Sequence, residues 1–286
     1  MKFRTITTRA AVAGATTALA AGAFVAVAAP ANAATVTDTY TCTMTGVYQG
    51  DFAMEVSGDL PVPQYWAGAA VPAGLVNLTA TATVPADAAG LLAGVGVTGA
   101  KSDDYALSLG DRPVPIPISG DFVTEGETTT WEASGTNLDF VTANPGTVDG
   151  FLPETFTLLP TKEDGSTFGS LTCVVTDGDP AEIVTDFVLL RQSSATTAKN
   201  VTVKKGKAAI VPVKVESTSL SVPVTGGKVV AKQGTKTLDT AKVKDGKAKL
   251  NLGKKLKVGK HKITVKYLGI PSVGGSKDNA TVTVKK

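Results

Sequence analysis

The chain has very few of the side chains on which enzymes usually depend: one histidine, two cysteines and two tryptophans in 286 residues. A Ser-His-Asp or Cys-His triad would have to use His261, whose neighbours Lys260 and Lys262 disfavour the imidazolium that such a triad stabilises. One histidine and two cysteines are too few for a zinc site. No glycine-rich phosphate loop ending in Gly-Lys-Ser/Thr occurs. We therefore predict a protein with no catalytic residues, metal or cofactor.

Paired carboxylates are the enzymatic route that these scarcities leave open, because a glycosidase needs two acids facing each other across a cleft. The candidates are Asp103-Asp104, the group Glu125, Glu127 and Glu132, and the pair Asp177 and Asp179. Tyr65-Trp66 lies in a proline-flanked stretch and would serve as a ligand platform for a sugar ring. The plainer interpretation of the carboxylates is that they are solvated surface charges. The plainer interpretation of the aromatic residues is that they anchor an apolar core. A carbohydrate-binding or glycan-active acidic half is the alternative to a non-enzymatic protein.

Residues 1–33 have the pattern of a secretory signal peptide. Lys2, Arg4 and Arg9 precede an apolar run, and Ala31-Asn32-Ala33 fits the small-residue cleavage pattern. After residue 33 no apolar run is long enough to span a bilayer. We expect a mature chain that begins at Ala34, has no transmembrane segment, and is secreted or associated with the cell envelope.

Cys42 and Cys173 are the two cysteines of the chain. Because exported proteins fold in an oxidising compartment, we predict a disulfide between them. Both lie in segments of alternating polarity, so the bond would join the first strand of a domain to a late one. An activated thiolate needs electropositive surroundings, and this part of the chain is acidic, which favours a structural role over a redox role.

Charge divides the chain into two parts. Residues 191–286 hold 22 of the 28 basic residues and four of the 25 acidic ones, whereas residues 34–190 hold three basic residues and 21 acidic ones. The two net charges, +18 and −18, predict two domains. We place an acidic β-domain at 34–190, a linker of small polar residues at 191–197, and a basic domain at 198–286. The two domains are further predicted to associate with each other through these opposite charges.

Short alternating runs separated by glycine and proline turns predict that the acidic part is a β-sandwich or a barrel. Leu78–Val84 and Thr128–Ala133 are examples of such runs. The prolines of 113–118 restrict that segment to a sheet edge or an extended form. One short helix is predicted at Ala86–Ala93.

The basic part also alternates, and it predicts about seven short strands. Asp245-Gly246 is a strong two-residue hairpin signal. Gly227–Val230, Asp245–Leu250 and Gly259–Tyr267 resemble the immunoglobulin-like repeat modules of bacterial surface proteins. That resemblance implies a seven-stranded Ig-like β-sandwich at 198–286 and a role as spacer, adhesin or appendage. The alanine-rich leader followed by an acidic β-domain is similar to secreted actinobacterial proteins. The whole chain is thus predicted to be all-β.

The lysines of the basic part have three interpretations. They would prevent edge-to-edge aggregation, bind an anionic envelope polymer, or bind nucleic acid. The third is disfavoured because specific phosphate contacts favour arginine and single-strand stacking needs aromatic residues. We therefore predict a non-enzymatic structural or adhesion-type protein of the cell surface or cell wall, with the Ig-like domain as spacer and electrostatic anchor. The predicted polyanion-binding residues are Lys242, Lys244, Lys247, Lys249, Lys260, Lys262 and Lys266.

Overall fold

A computed structural model describes residues 33–59, 62–176, 178–254 and 256–286. The predicted signal peptide lies outside these residues, apart from Ala33. Within these ranges there is one helix, α1, at Ala86–Gly94. The strands are β1 Ala33–Met44, β2 Tyr48–Asp59, β3 Gln64–Trp66, β4 Ala70–Val71, β5 Asn77–Val84, β6 Val97–Ser102, β7 Ala106–Leu109, β8 Arg112–Pro115, β9 Ile118–Glu125, β10 Thr128–Thr136, β11 Phe140–Val141, β12 Gly146–Phe151, β13 Thr155–Lys162, β14 Leu171–Val175, β15 Glu182–Leu190, β16 Ser194–Ala198, β17 Val201–Lys204, β18 Ile210–Ser217, β19 Val222–Pro223, β20 Lys228–Gln233, β21 Lys236–Lys242, β22 Lys247–Asn251, β23 Gly259–Tyr267 and β24 Ser276–Lys285.

In the acidic half, eight strands form a closed barrel in the order β1-β14-β13-β6-β9-β10-β5-β2, and all neighbours are antiparallel. Alternation in the sequence explains the two sides of its wall. Along Asn77–Val84 every second residue is buried, so that leucine, alanine and valine face inward while asparagine and threonine face solvent. Closure leaves the barrel without an unpaired edge. The predictions of an all-β chain and of a barrel or sandwich here are confirmed.

The disulfide lies inside the barrel. Cys42 of β1 and Cys173 of β14 are direct cross-strand partners, both are buried, and their sulfurs are bonded across 131 residues of sequence. The bond therefore fastens the first strand of the barrel to its last, as the sequence predicted.

A second sheet, in the order β3-β15-β12-β7-β8, covers one end of the barrel. The ring of Tyr105, just before β7, packs edge-on against Phe156 of β13, with 5.2 Å between centroids. Ile183 of β15 lies over Gly58 of β2. One hydrophobic cluster thus runs from the barrel into this covering sheet. The proline-rich β8 is the edge strand, and α1 lies where the helix was predicted; both predictions are confirmed.

The basic half consists of two sheets around a second hydrophobic cluster. One sheet has the order β17-β24-β23-β20-β21, and the other has the order β16-β18-β19 with β22 paired to β18. Alternate valines of β18, among them Val211 and Val213, share the cluster with Ile263, Val265 and Tyr267 of β23. Within the described parts of the chain, no helix has the length and hydrophobicity needed to cross a membrane.

The described residues of this half form nine strands, where the sequence predicts about seven. The short β16, β17 and β19 were not predicted, because polar and lysine-rich segments hide their alternation. Lys236–Lys242 is one strand, whereas the sequence predicts two separate runs there, Lys236–Leu238 and Ala241–Lys244. The turn at Asp245-Gly246 forms, with positive φ at both residues, but its flanking strands β21 and β22 separate into different sheets. The reason is that the Gly246 carbonyl accepts a hydrogen bond from Val215 N, which holds the turn against β18.

The segment 191–197, predicted as a linker, is partly strand. Ser194–Ala198 pairs with β18, and Gln192 is buried. The Gln192 side-chain amide donates a 2.7 Å hydrogen bond to the carbonyl of Ala67, in the acidic half, and its backbone N–H donates to Ser272 O in the basic half. A buried amide bonded to both halves makes this junction a specific contact, which the small polar residues of the segment did not predict.

Candidate functional site

The seven predicted polyanion-binding lysines are all exposed, but they do not lie on one surface. Lys242, Lys260, Lys262 and Lys266 are on the five-stranded sheet, and Lys247 and Lys249 are on the opposite one. Lys244 is in the turn between the sheets. The basic half therefore presents lysines on both outer faces. The sequence could not separate them, because the turn at Asp245 moves the chain from one sheet to the other.

The strand register gathers five lysines on the outer face of the five-stranded sheet. Lys266 lies directly opposite Lys277, and Lys228 lies directly opposite Lys242. On its other side Lys266 faces Val230, whose neighbours two positions away on β20 are Lys228 and Lys232. We call this set the lysine patch: Lys228, Lys232, Lys242, Lys266 and Lys277. Its predicted members are Lys242 and Lys266; Lys228, Lys232 and Lys277 were not predicted, and the run Val229-Val230-Ala231 beside Lys228 and Lys232 shows no alternation.

Three of the four acids of the basic half make contacts away from the lysine patch. A carboxylate oxygen of Asp278 accepts the backbone N–H of Ala198, on the other sheet, at 2.8 Å. Asp239 likewise accepts Asn251 N, on β22. Glu216 forms an ion pair with Lys214 on the opposite face. Among the residues that the structure describes, no ion pair involves a lysine of the patch.

Lysines facing each other across strands raise the free energy of the folded state. Like charges in direct cross-strand pairs are destabilising by up to about 1 kcal/mol per pair. Further pairs of this kind are Lys204 with Lys285 and Lys214 with Lys247. Lys214 is partly neutralised by Glu216. Stability alone does not account for this arrangement.

Tyr65 and Trp66, the predicted ligand platform, are both half-buried on β3, which pairs in parallel with β15. The Tyr65 hydroxyl donates a long hydrogen bond to the Ala70 carbonyl, and burial raises its pKa. Trp131 is 2% exposed inside the barrel, where its indole N–H donates to the carbonyls of Ala100 and Gly120 at 3.2 and 3.1 Å. Trp131 is therefore the core anchor; a sugar platform at Tyr65 and Trp66 stays a prediction.

Two of the candidate carboxylates of the acidic half, Asp103 and Asp104, are engaged in local contacts. Asp103 pairs with Lys101 at 2.9 Å. Partial burial opposes ionisation of Asp104, but hydrogen bonds from the Thr157 backbone N–H and the Ser102 hydroxyl hold its pKa below the ordinary value. Asp177 lies outside the described residues. In the described ranges, no group of three His, Cys, Asp or Glu side chains is placed to hold a metal ion.

His261 has two hydrogen-bond partners of its own. One ring nitrogen lies 2.6 Å from the carbonyl of Lys257, and the other lies 3.2 Å from the side-chain nitrogen of Gln233. Both partners are in the basic half, far along the chain from every candidate carboxylate. The ring is therefore part of a local strand-end contact.

The end of the barrel opposite the covering sheet contains an apolar cavity of about 60 Å³. Its walls come from β1, β2, β5, β9, β10, β13 and β14, from α1 and from the loop between β13 and β14. The lining residues are Tyr40, Cys42, Met44, Val47, Tyr48, Phe52, Met54, Ala82, Val84, Ala88, Leu91, Leu92, Phe122, Trp131, Leu158, Pro160, Phe168 and Leu171. Sequence analysis missed this site, because its residues are the ordinary inward positions of a barrel.

The Gln192 bridge joins the two halves through uncharged groups. Within the basic half, the guanidinium of Arg191 donates to the backbone carbonyl of Ile270 at 3.0 Å. None of the ion pairs between described residues joins the acidic half to the basic half. Association of the opposite charges, within or between molecules, stays a prediction.

No known protein family matches the chain, and no curated protein matches it. Among solved structures, it is similar to a chimeric titin Z1Z2-Z1Z2 tandem functionalised with a GRGDS peptide from fibronectin, at 16% identity over 78% of this chain and 94% of that one, with a TM-score of 0.27. It is also similar to fibronectin(III)-like modules of Clostridium thermocellum CbhA, at 16% identity over 80% of this chain and 94% of that one, with a TM-score of 0.26. Scores this low do not establish a shared fold, and the all-β architecture rests on the strand pairing described above.

Proposed function

We propose that this protein is a non-enzymatic, secreted or cell-surface protein of the structural or adhesion type, and that its basic half anchors it to an anionic polymer of the cell envelope. What carries the proposal is the lysine patch, where lysines face lysines and no acid faces them. A polyanion laid across this face would neutralise repulsion that the folded chain otherwise retains. The disulfide between Cys42 and Cys173 and the signal-peptide pattern of residues 1–33 support an extracellular setting.

Protection against aggregation does not account for the lysine patch. Lysines used for that purpose belong on the edge strands of a sheet, where unpaired backbone groups are exposed. The edge strands of this sheet are β17 and β21, whereas Lys228, Lys266 and Lys277 are on the interior strands β20, β23 and β24. Lys242 is on the edge strand β21, so protection against aggregation does account for this one member of the patch.

The chemistry of lysine also favours a repetitive, flexible polymer over a shaped ligand. A lysine ammonium is a mobile point charge without the planar fork that arginine offers to a specific phosphate or carboxylate. Lysines on both outer faces of the basic half would contact one long polymer at several places, and weak contacts add up through effective concentration. Phosphate- or carboxylate-bearing wall polymers have this character.

Co-sedimentation of the full chain with purified cell envelope, at about 0.05–0.5 M salt, tests the proposal. We expect the wild type to sediment at low salt and to be released at high salt. Changing Lys228, Lys242, Lys266 and Lys277 to glutamine should remove most of the sedimentation. The matched control changes four exposed loop and turn lysines, Lys199, Lys207, Lys254 and Lys257, for the same loss of charge. Failure of the wild type to sediment would refute the anchor, and equal losses in both variants would refute the patch.

A further inference from the structure

The apolar cavity is a second candidate site, independent of the lysine patch. We propose that the barrel binds the end of one alkyl chain of a small amphiphile with a neutral or cationic head group, inserted tail first into this cavity. The lining side chains are apolar or aromatic, and the disulfide sulfur of Cys42 is part of the wall. A cavity of this character does not hold water well, because a buried water needs two to four polar partners. An apolar group is the occupant that it favours.

The volume of the cavity sets the size of the occupant. A water molecule needs about 10–15 Å³ of such volume, so the cavity of about 60 Å³ has room for about four to six groups of that size. A methylene group is similar in size to a water molecule. The cavity therefore takes about the last four to six carbons of a chain, which is too short for a whole long-chain lipid.

The entrance offers apolar surface for the rest of the chain. Val47, in the turn between β1 and β2, is 59% exposed, and Leu91 of α1 is 52% exposed. Both line the cavity. Only Ala88 of the α1 side chains is buried, so this helix lies over the barrel end with its leucines at the opening. Large apolar side chains at the mouth of a cavity extend its binding surface outward. Single exposed apolar residues elsewhere on the surface do not have this effect.

Charges around the entrance select the head group. Asp51 directly precedes Phe52 and Asp87 directly precedes Ala88, and both Phe52 and Ala88 line the cavity, so two acids lie close to its walls. Lys162 lies over the ring of Phe168, which also lines the cavity, 5.7 Å from its centroid. Glu163 and Asp164 follow Lys162 in the loop that contributes Phe168. Because the segments that supply these lining residues carry four acids and one base, we expect a carboxylate head to be disfavoured and an alcohol or an amine to be admitted.

Fluorescence of Trp131 provides the readout, because this residue lines the cavity. In a Trp66→Phe background it is the sole tryptophan. We would titrate the full chain with straight-chain alcohols of four to ten carbons. Affinity should rise about fourfold per methylene and then level off beyond about six carbons, when the cavity is filled. Hexylamine and hexanol should bind at least threefold more tightly than hexanoate at neutral pH.

Two matched pairs of variants test the location. Leu91→Lys should weaken hexanol binding at least fivefold, whereas Leu138→Lys, at a leucine of similar exposure outside the cavity, should leave it unchanged. Ala82→Leu should abolish binding without loss of stability, because the leucine fills empty space. Ala80→Leu, at a packed position on the same strand that does not line the cavity, should lower stability.

Three results would overturn the proposal. One is the absence of any fluorescence change with every alcohol, and another is unchanged hexanol affinity in Leu91→Lys. The third is co-sedimentation with neutral phosphatidylcholine vesicles without binding of any alcohol, which would make Val47 and Leu91 a membrane contact instead. None of these results bears on sedimentation with the cell envelope, so the anchor proposal stands or falls separately.

Discussion

Replacing Lys266 by glutamate should stabilise the basic half and at the same time weaken its hold on an anionic polymer. In the folded chain Lys266 faces Lys277 directly and has Lys228 and Lys232 as diagonal neighbours. Reversing its charge turns one repulsive cross-strand pair into an attractive one. The lost repulsion and the gained attraction are each worth about 0.2–1 kcal/mol. The free energy of unfolding should therefore rise by about 0.4–2 kcal/mol. For a β-domain of this size, 1 kcal/mol raises the melting temperature by about 4–8 °C.

The binding side of the prediction has the opposite sign. One lysine near an anionic surface contributes about 1 kcal/mol, so Lys266→Gln should lower affinity for a polyanion about fivefold, and Lys266→Glu should lower it further. Each lost contact should also reduce the slope of log affinity against log salt by about one. Inorganic polyphosphate is a suitable probe, because it offers repeated phosphate charge without a shaped ligand.

Thermal unfolding at about 20 mM salt and polyphosphate titration of the same samples measure both effects. Lys236→Glu is the control for stability, because it reverses the charge of an exposed lysine that faces Gln233 rather than another lysine. Its melting temperature should not rise. A more stable Lys266→Glu with unchanged polyphosphate affinity would show that the lysine patch does not bind polyanions. A less stable Lys266→Glu would show that the facing lysines do not repel each other appreciably.

Three further predictions concern the acidic half. Replacing Cys42 and Cys173 together by alanine should lower the free energy of unfolding in urea by about 4–5 kcal/mol, because the bond closes a loop of 131 residues; a loss below about 1 kcal/mol would mean that the barrel closes without it. Tyr105→Phe should raise that free energy by about 1 kcal/mol, since its buried hydroxyl has no hydrogen-bond partner; a decrease would show that the hydroxyl is satisfied by water. The folded Asp104 carboxyl has a pKa below its ordinary value of 3.8, so its stabilisation is fully present above that value and is lost as the pH falls through the folded pKa. Asp104→Asn should therefore be less stable than wild type at pH 7, the difference should shrink as the pH falls below 3.8, and a pH-independent difference would contradict the assignment.

Alternation and turn chemistry predicted most of the strands, because both are local. The inward run of Leu78 to Val84 and the prolines of β8 act within a few residues, and the structure has them as predicted. Pairing across long distances is not local. The sequence offered a barrel or a sandwich for the acidic half without deciding between them. The decision depends on β2 pairing with both β1 and β5, and on β14 returning to β1.

The candidate sites were predictable to different extents. The abundance of lysine in the basic half is visible in the composition, but the lysine patch depends on register, which sets Lys266 opposite Lys277 rather than one residue away. A shift by one residue would exchange inward and outward side chains. The cavity was not predictable. Ala82 and Ala88 are buried alanines like any others in the sequence, and only the packing of the folded chain leaves an unfilled space beside them.

The positions of the two sites along the molecule favour their use together. The basic half joins the acidic half at the covering sheet, where Leu190 and Ala67 lead to the Gln192 bridge. The cavity opens at the other end of the barrel, and the strand β1 from Ala33 to Met44 spans about 35 Å between those ends. A polyanion that attracts the basic half repels the acidic one, whose net charge is opposite. Anchoring through the lysine patch would therefore hold the barrel away from the polymer with its cavity accessible to solvent. On this reasoning, polyphosphate at saturation should leave the affinity for hexanol unchanged, and competition between the two ligands would place the cavity against the anchored surface.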